Sequence, residues 1–132
     1  MNILALLAYV VSASVSDCSK GASLFKITSM SFSPDPPIPG QNSTLRLSMN
    51  VPTAVSGGTA TYSPTYNFIP LNPSTDDLCT TLPSGCPIAV GQLDTISTFP
   101  VDSTLTGTLA LNIQWKDLAS NPLLCVDVKM KI

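Results

Sequence analysis

LTGTLALNIQWKDLASNPLLCVDVKMKI, residues 105–132, carries two clean alternations in one short stretch. Leu105, Leu109, Leu111, Ile113 and Trp115 recur at even spacing, and Leu124, Val126, Val128, Met130 and Ile132 repeat the pattern after KDLASNP. A period of two places each set on one face of an extended chain, so the segment is predicted to be an antiparallel hairpin with one apolar and one mostly polar face. Cys125 falls on the polar face, which suits a bridge to an outer segment better than a core thiol.

Working backwards, NSTLRLSMNV at 42–51 alternates in the same way, with Leu45, Leu47, Met49 and Val51 pointing together. Gly57-Gly58 supplies a turn, and TATYSPTYNFIPL at 59–71 resumes with Ala60, Tyr62, Tyr66 and Phe68 on a common face. Pro64 interrupts that run, which points to an edge position or a bulge. Weaker strands are expected at Leu24–Phe32 and Ile96–Val101. SFSPDPPIPGQ, at 31–41, has four prolines within eight positions and reads as a stiff crossing loop. Six to eight short strands with regular turn signals predict an all-β domain built as a sandwich of two antiparallel sheets.

The composition supports that class and excludes several others. The charges are eight Asp, five Lys and Arg46, with no Glu and no His, for a net charge of −2. Without a basic run, nucleic acid is not expected as a partner. The lack of histidine removes the commonest general base and metal ligand, and no G-x-S-x-G elbow is present, so no catalytic residue is assigned. Asp76-Asp77 reads as solvated surface, and Cys79 and Cys86 have no second ligand pair for zinc. No metal or cofactor is expected. Residues 1–16, apolar from Ile3 to Val11 and then small, have the form of a secretory signal peptide, leaving residues 17–132 as one domain. Asn42-Ser43-Thr44 is the one valid glycosylation sequon, because Pro73 follows Asn72.

Four cysteines allow three pairings. Proximity favours Cys79 with Cys86, which leaves Cys18 for Cys125. The flanks of CTTLPSGCPI are apolar: Tyr66, Phe68, Ile69, Leu71, Ile88, Ile96, Phe99 and Val101 gather around it in sequence. They are either one end of a filled core or, with Leu111, Ile113 and Trp115 of the hairpin's inner face, the lining of an apolar pocket for a small hydrophobic ligand.

The opening DCSKGASLFKITSMSFSP, the clip CTTLPSGCPI, FPV and the closing LALNIQWKDLASNPLLCVDVKMKI together resemble the ML lipid-recognition domain family, over essentially all of residues 17–132. The resemblance implies an immunoglobulin-like β-sandwich with an apolar cavity between its sheets, and the pairings Cys18–Cys125 and Cys79–Cys86. It further implies that Phe68, Ile69 and Leu71 before the clip, with Ile88 and Ile96 after it, line the cavity mouth. The clip would then pin that mouth. The family's third disulfide has no counterpart here, since both cysteines are missing from SPDPPIPG. The implied function is a non-enzymatic, secreted or endosomal/lysosomal (vacuolar) carrier of a sterol or phospholipid. Such a protein would act as a monomer, touch membranes transiently and hand its lipid to a membrane-protein acceptor. The alternative is a secreted Ig-like interaction module with a filled core and no lipid.

Overall fold

The computed structural model describes residues 14–35, 37–104 and 106–132. Residues 1–13 of the expected signal peptide and Leu105 of the expected hairpin face lie outside the described residues. In chain order the elements are β1 (Ser14–Asp17), β2 (Lys26–Ser33), β3 (Asn42–Val51), β4 (Gly58–Tyr66), β5 (Ile69–Pro70), β6 (Ser74–Asp77), α1 (Leu78–Thr81), β7 (Gly91–Pro100), β8 (Thr108–Asp117) and β9 (Pro122–Lys131). They form two antiparallel sheets, one ordered β1-β9-β8-β4-β5 with β6 also on β4, the other β2-β3-β7. Among the described residues the protein is an all-β sandwich with one helical turn.

The alternation read from the sequence places the core. In β3, Leu45, Leu47, Met49 and Val51 are buried while Arg46 and Asn50 are exposed. The β8–β9 hairpin pairs Ile113 with Val126 and Leu111 with Val128, and buries Ile113, Trp115, Leu124, Val126, Val128 and Met130. Phe25 meets Trp115 edge to face at 6.3 Å, an arrangement that suits the two ring quadrupoles. One departure from strict alternation is Leu123, buried beside Leu124. The register shifts between Trp115 and Lys116, and Leu24 and Phe25 N–H donate to the Pro122 and Leu123 carbonyls, so the segment before β2 runs beside the start of β9, where Leu123 joins the core.

β4 differs from its sequence reading in two ways. It ends at Tyr66, because Asn67 and Phe68 turn the chain back into β5, so Phe68 does not continue the Ala60–Tyr62 face. Nor is Pro64 on an open edge. β8 pairs with β4 along one side, while β6 covers Thr59–Tyr62 and β5 covers Thr65–Tyr66 on the other, leaving Pro64 in the gap between them. Pro64 carbonyl accepts from Leu71 N–H at 2.9 Å on that outer side. The missing proline N–H points the same way, so no bond to β8 is lost.

Both disulfides form as expected. Cys18–Cys125 joins the segment after β1 to β9, reinforced by Cys18 N–H donating to the Cys125 carbonyl at 3.0 Å. Cys79–Cys86 closes a short clip that begins in α1. Asp77 caps that turn by accepting from Cys79 N–H at 2.9 Å. The clip seats Leu78, Leu82 and Ile88 in the core, and Val55 and Ile88 exchange backbone hydrogen bonds. It therefore plugs the end of the sandwich where β4 begins and β8 ends.

Candidate functional site

At one flank of the sandwich β1 of the larger sheet approaches β2 of the smaller. At the other, β7 faces β4, β6 and β8 across a cleft of about 500 Å³ lined by Tyr62, Pro64, Ser74, Thr81, Ile96, Ser97, Thr98, Phe99 and Leu111. The positions follow from strand parity. Ala60 is buried, so Tyr62 and Pro64 share its inward face, and the register sets Pro64 beside Leu111. Ser74 arrives opposite Tyr62 through the β4–β6 pairing, and Thr81 closes α1. Thr98 and Ile96 lie toward the outer face of β7, with Ile96 62% exposed at the rim.

Chemically the cleft is apolar at Pro64, Phe99, Leu111 and Ile96 and hydroxylic at Tyr62, Ser74, Thr81, Ser97 and Thr98, with no charged side chain in its lining. Three other clefts of similar size each include at least one of Lys26, Asp76, Asp77 and Asp117. Burial raises the Tyr62 phenol above its ordinary pKa, the nearby Asp76 carboxylate adds to the effect and the Thr81 hydroxyl offsets part of it. Tyr62 is therefore a neutral hydrogen-bonding group at neutral pH. On the inner face of the smaller sheet, Ser43 and Thr95 are buried and their hydroxyls have no hydrogen-bond partner among the described residues. Among the described residues, no cluster of three or more Cys, Asp, Glu or His could hold a metal.

The structure brings three of the sequence-predicted residues to this cleft: Ile96, Phe99 and Leu111. Ile88, Val101, Ile113 and Trp115 are instead buried among protein side chains. Tyr66, Phe68, Ile69 and Leu71 stand at the far end of β4, where Tyr66 Oη donates to the Thr106 carbonyl at 2.8 Å. Phe68, Ile69 and Leu71 are 84%, 65% and 48% exposed. The clip lies at the Gly58 end of β4, since Asp77 pairs with Thr59, whereas Ile69 pairs with Tyr66. About 25 Å of strand separates the two ends. The clip therefore does not hold Phe68–Leu71 against Ile88 and Ile96, and sequence proximity to the cysteines misplaced them. Sequence reasoning missed Tyr62, Pro64, Ser74, Thr81, Ser97 and Thr98 as lining residues. Alternation from Ala60 is the signal that reaches Tyr62 and Pro64; Ser74 and Thr81 depend on the fold-back of β6 and α1.

Comparison with known proteins agrees with this architecture. The ML domain family model matches residues 12–132. A putative phosphatidylglycerol/phosphatidylinositol transfer protein 3 from Dictyostelium discoideum is 31% identical over 119 residues, covering 89% of this chain and 79% of the relative. Among solved structures, a Niemann-Pick type C2 protein from Japanese carpenter ant superposes with a TM-score of 0.68 at 17% identity, over 90% of this chain and 98% of that one. Chicken MD-1 complexed with lipid IVa superposes with a TM-score of 0.62 at 10% identity, over 90% of this chain and 88% of that one. With the sandwich, both disulfides and a match to the family model over residues 12–132 in agreement, the chain belongs to the ML domain family.

Proposed function

We propose that the protein is a non-enzymatic lipid carrier that shields the apolar part of one sterol or phospholipid in the cleft between its sheets. The observation that carries this reading is the charge-free cleft between β7 and the β4–β8 pair, in a family whose relatives bear lipid-transfer names. Burying some 400 Å² of ligand surface there is worth on the order of 10 kcal/mol before association costs. The hydroxyls of Tyr62, Ser74, Thr81, Ser97 and Thr98 offer donors and acceptors to the ligand's polar end. Release follows when a membrane replaces the protein as the apolar surroundings, by transient contact with a bilayer or a membrane-protein acceptor. The protein acts as a monomer.

A signal peptide at residues 1–16 would direct residues 17–132 to secretion or to an endosomal/lysosomal lumen, where both disulfides are stable. β1 begins at Ser14, so cleavage near residue 16 removes three of its paired residues but keeps the Asp17↔Val126 pair and the Cys18–Cys125 bridge. Asn42 is exposed at the start of β3 and is the proposed glycan site. The test is organic extraction of protein purified from a secretory host, followed by lipid mass spectrometry. A stoichiometric lipid supports the carrier; consistently empty protein supports an interaction module with a filled core.

A further inference from the structure

The turn joining β4 to β5 contains two residues, Asn67 at φ 48° and Phe68 at φ 67°, flanked by the pair Tyr66 and Ile69. Positive φ at both central positions defines the type I′ hairpin, which favours Asn-Gly because a side chain at the second position is strained. Asn67 suits that geometry; Phe68 does not. At 84% exposure, Phe68 also gains little burial to offset the strain. Ile69 and Leu71 present further apolar surface beside it, and the chain has no charged residue between Arg46 and Asp76. The turn is held stiffly by the bonds of Asn67 to Thr108 and of Tyr66 to Thr106. It is also coupled to the cleft, because Leu71 N–H donates to the carbonyl of Pro64, a lining residue.

We propose that Phe68, Ile69 and Leu71 form a rigid apolar tip that enters the interfacial region of a lipid bilayer and sets the cleft against that membrane. A projecting, uncharged turn matches a fluid apolar phase, which needs no preformed pocket to receive it. Tyr66, with an apolar ring and a polar end, suits the same boundary. The tip carries no cation, so its binding is apolar and extends to zwitterionic membranes with little dependence on salt. The inference rests on the lipid-carrier reading for its purpose, not for its geometry.

The experiment is co-sedimentation of the full chain with phosphatidylcholine vesicles at low and high salt, alongside Phe68→Gly and the double variant Phe68→Gly/Ile69→Thr. Phe68→Gly creates the favoured Asn-Gly turn, so its Tm is expected to equal or exceed that of the parent, which removes misfolding as an explanation. Vesicle affinity is expected to fall roughly tenfold or more in each variant, with salt changing the parent's affinity little. Lipid recovered by extraction is expected to be unchanged. Parent-like vesicle affinity in the double variant overturns the tip, as does parent binding abolished by salt. Self-association that the variants lose, with no vesicle binding by the parent, also overturns it and assigns the patch to a second copy. Vesicle binding through the tip by protein that never yields lipid keeps the tip and overturns the carrier.

Discussion

Asn67 holds Thr108 at two points: its backbone N–H donates to the Thr108 carbonyl at 2.7 Å, and its Oδ1 accepts the Thr108 N–H at 2.8 Å. The residue also tolerates positive φ better than most, because its short side chain can hydrogen-bond locally. Asn67→Ala removes the acceptor and adds backbone strain, and is expected to lower unfolding free energy by about 1 to 2 kcal/mol in urea denaturation. Gly107→Ala should be at least as damaging. Its φ of 104° is unfavourable for alanine, and the new Cβ would collide with the Asn67 carboxamide.

Leu111 is half-buried in the cleft, so it can change without emptying the core. Leu111→Arg places a charge in a lining that has none and is expected to reduce recovered lipid at least roughly tenfold while the far-UV spectrum is retained. Tyr62→Phe deletes one neutral hydroxyl. The expected loss in displacement of a fluorescent lipid is about 1 kcal/mol, a several-fold weaker affinity.

Thr95 buries a hydroxyl without a partner among the described residues. Thr95→Val removes that unmet polar group at similar shape, and the lipid-free protein is expected to gain about 1 kcal/mol. An unchanged or reduced midpoint in urea would show that the hydroxyl is satisfied in solution.

The two disulfides close loops of very different length, with separations of 107 and 7 residues. On chain entropy alone, Cys18→Ser/Cys125→Ser is expected to lose about 4 to 5 kcal/mol and Cys79→Ser/Cys86→Ser about 2 kcal/mol. Thermal unfolding of the two variants reads the order directly.

Three exposed carboxylates are held below the usual range by local donors: Asp94 by Gln92, Asp102 by the backbone N–H of Thr104, and Asp117 by the backbone N–H of Asn121. A depressed folded-state pKa adds stability above the unfolded value of about 3.9, and that stability is lost as pH falls through the folded value. These groups therefore leave stability unchanged between neutrality and about pH 5, with their loss beginning below about pH 4. Chemical denaturation across that range, with Asp102→Asn flattening the acid limb, checks the sign.

The β8–β9 hairpin and β3 were legible in the sequence because one buried face imposes a period of two, which Leu45, Ile113 and Val126 obey and from which Leu123 at the start of β9 departs. The flank was harder to read. In β7 the inward set is Leu93, Thr95, Ser97 and Phe99, and alternation alone offers no rule that turns the hydroxyls of Thr95 and Ser97 inward and Ile96 outward. Pairing with β3 decides it: Leu47 meets Thr95 and Leu45 meets Ser97, so Ile96 emerges beside Arg46. Likewise, Asn67-Phe68 is not a favoured turn dipeptide, and a reader following apolar alternation runs straight through it. The error over Phe68 and the proposed use of Phe68 have the same origin, a side chain placed where local energetics would choose glycine.

The gap at Pro64 bears on how the protein survives at high concentration. A sheet margin with free N–H and C=O groups is a template on which another chain can grow. Here β6 and β5 cover the margin of β4 above and below, and the uncovered position is a proline with no N–H to offer. The margin of β4 beside the cleft is thus guarded against strand addition, which leaves β7, paired only with β3, as the edge on this flank where another chain could add.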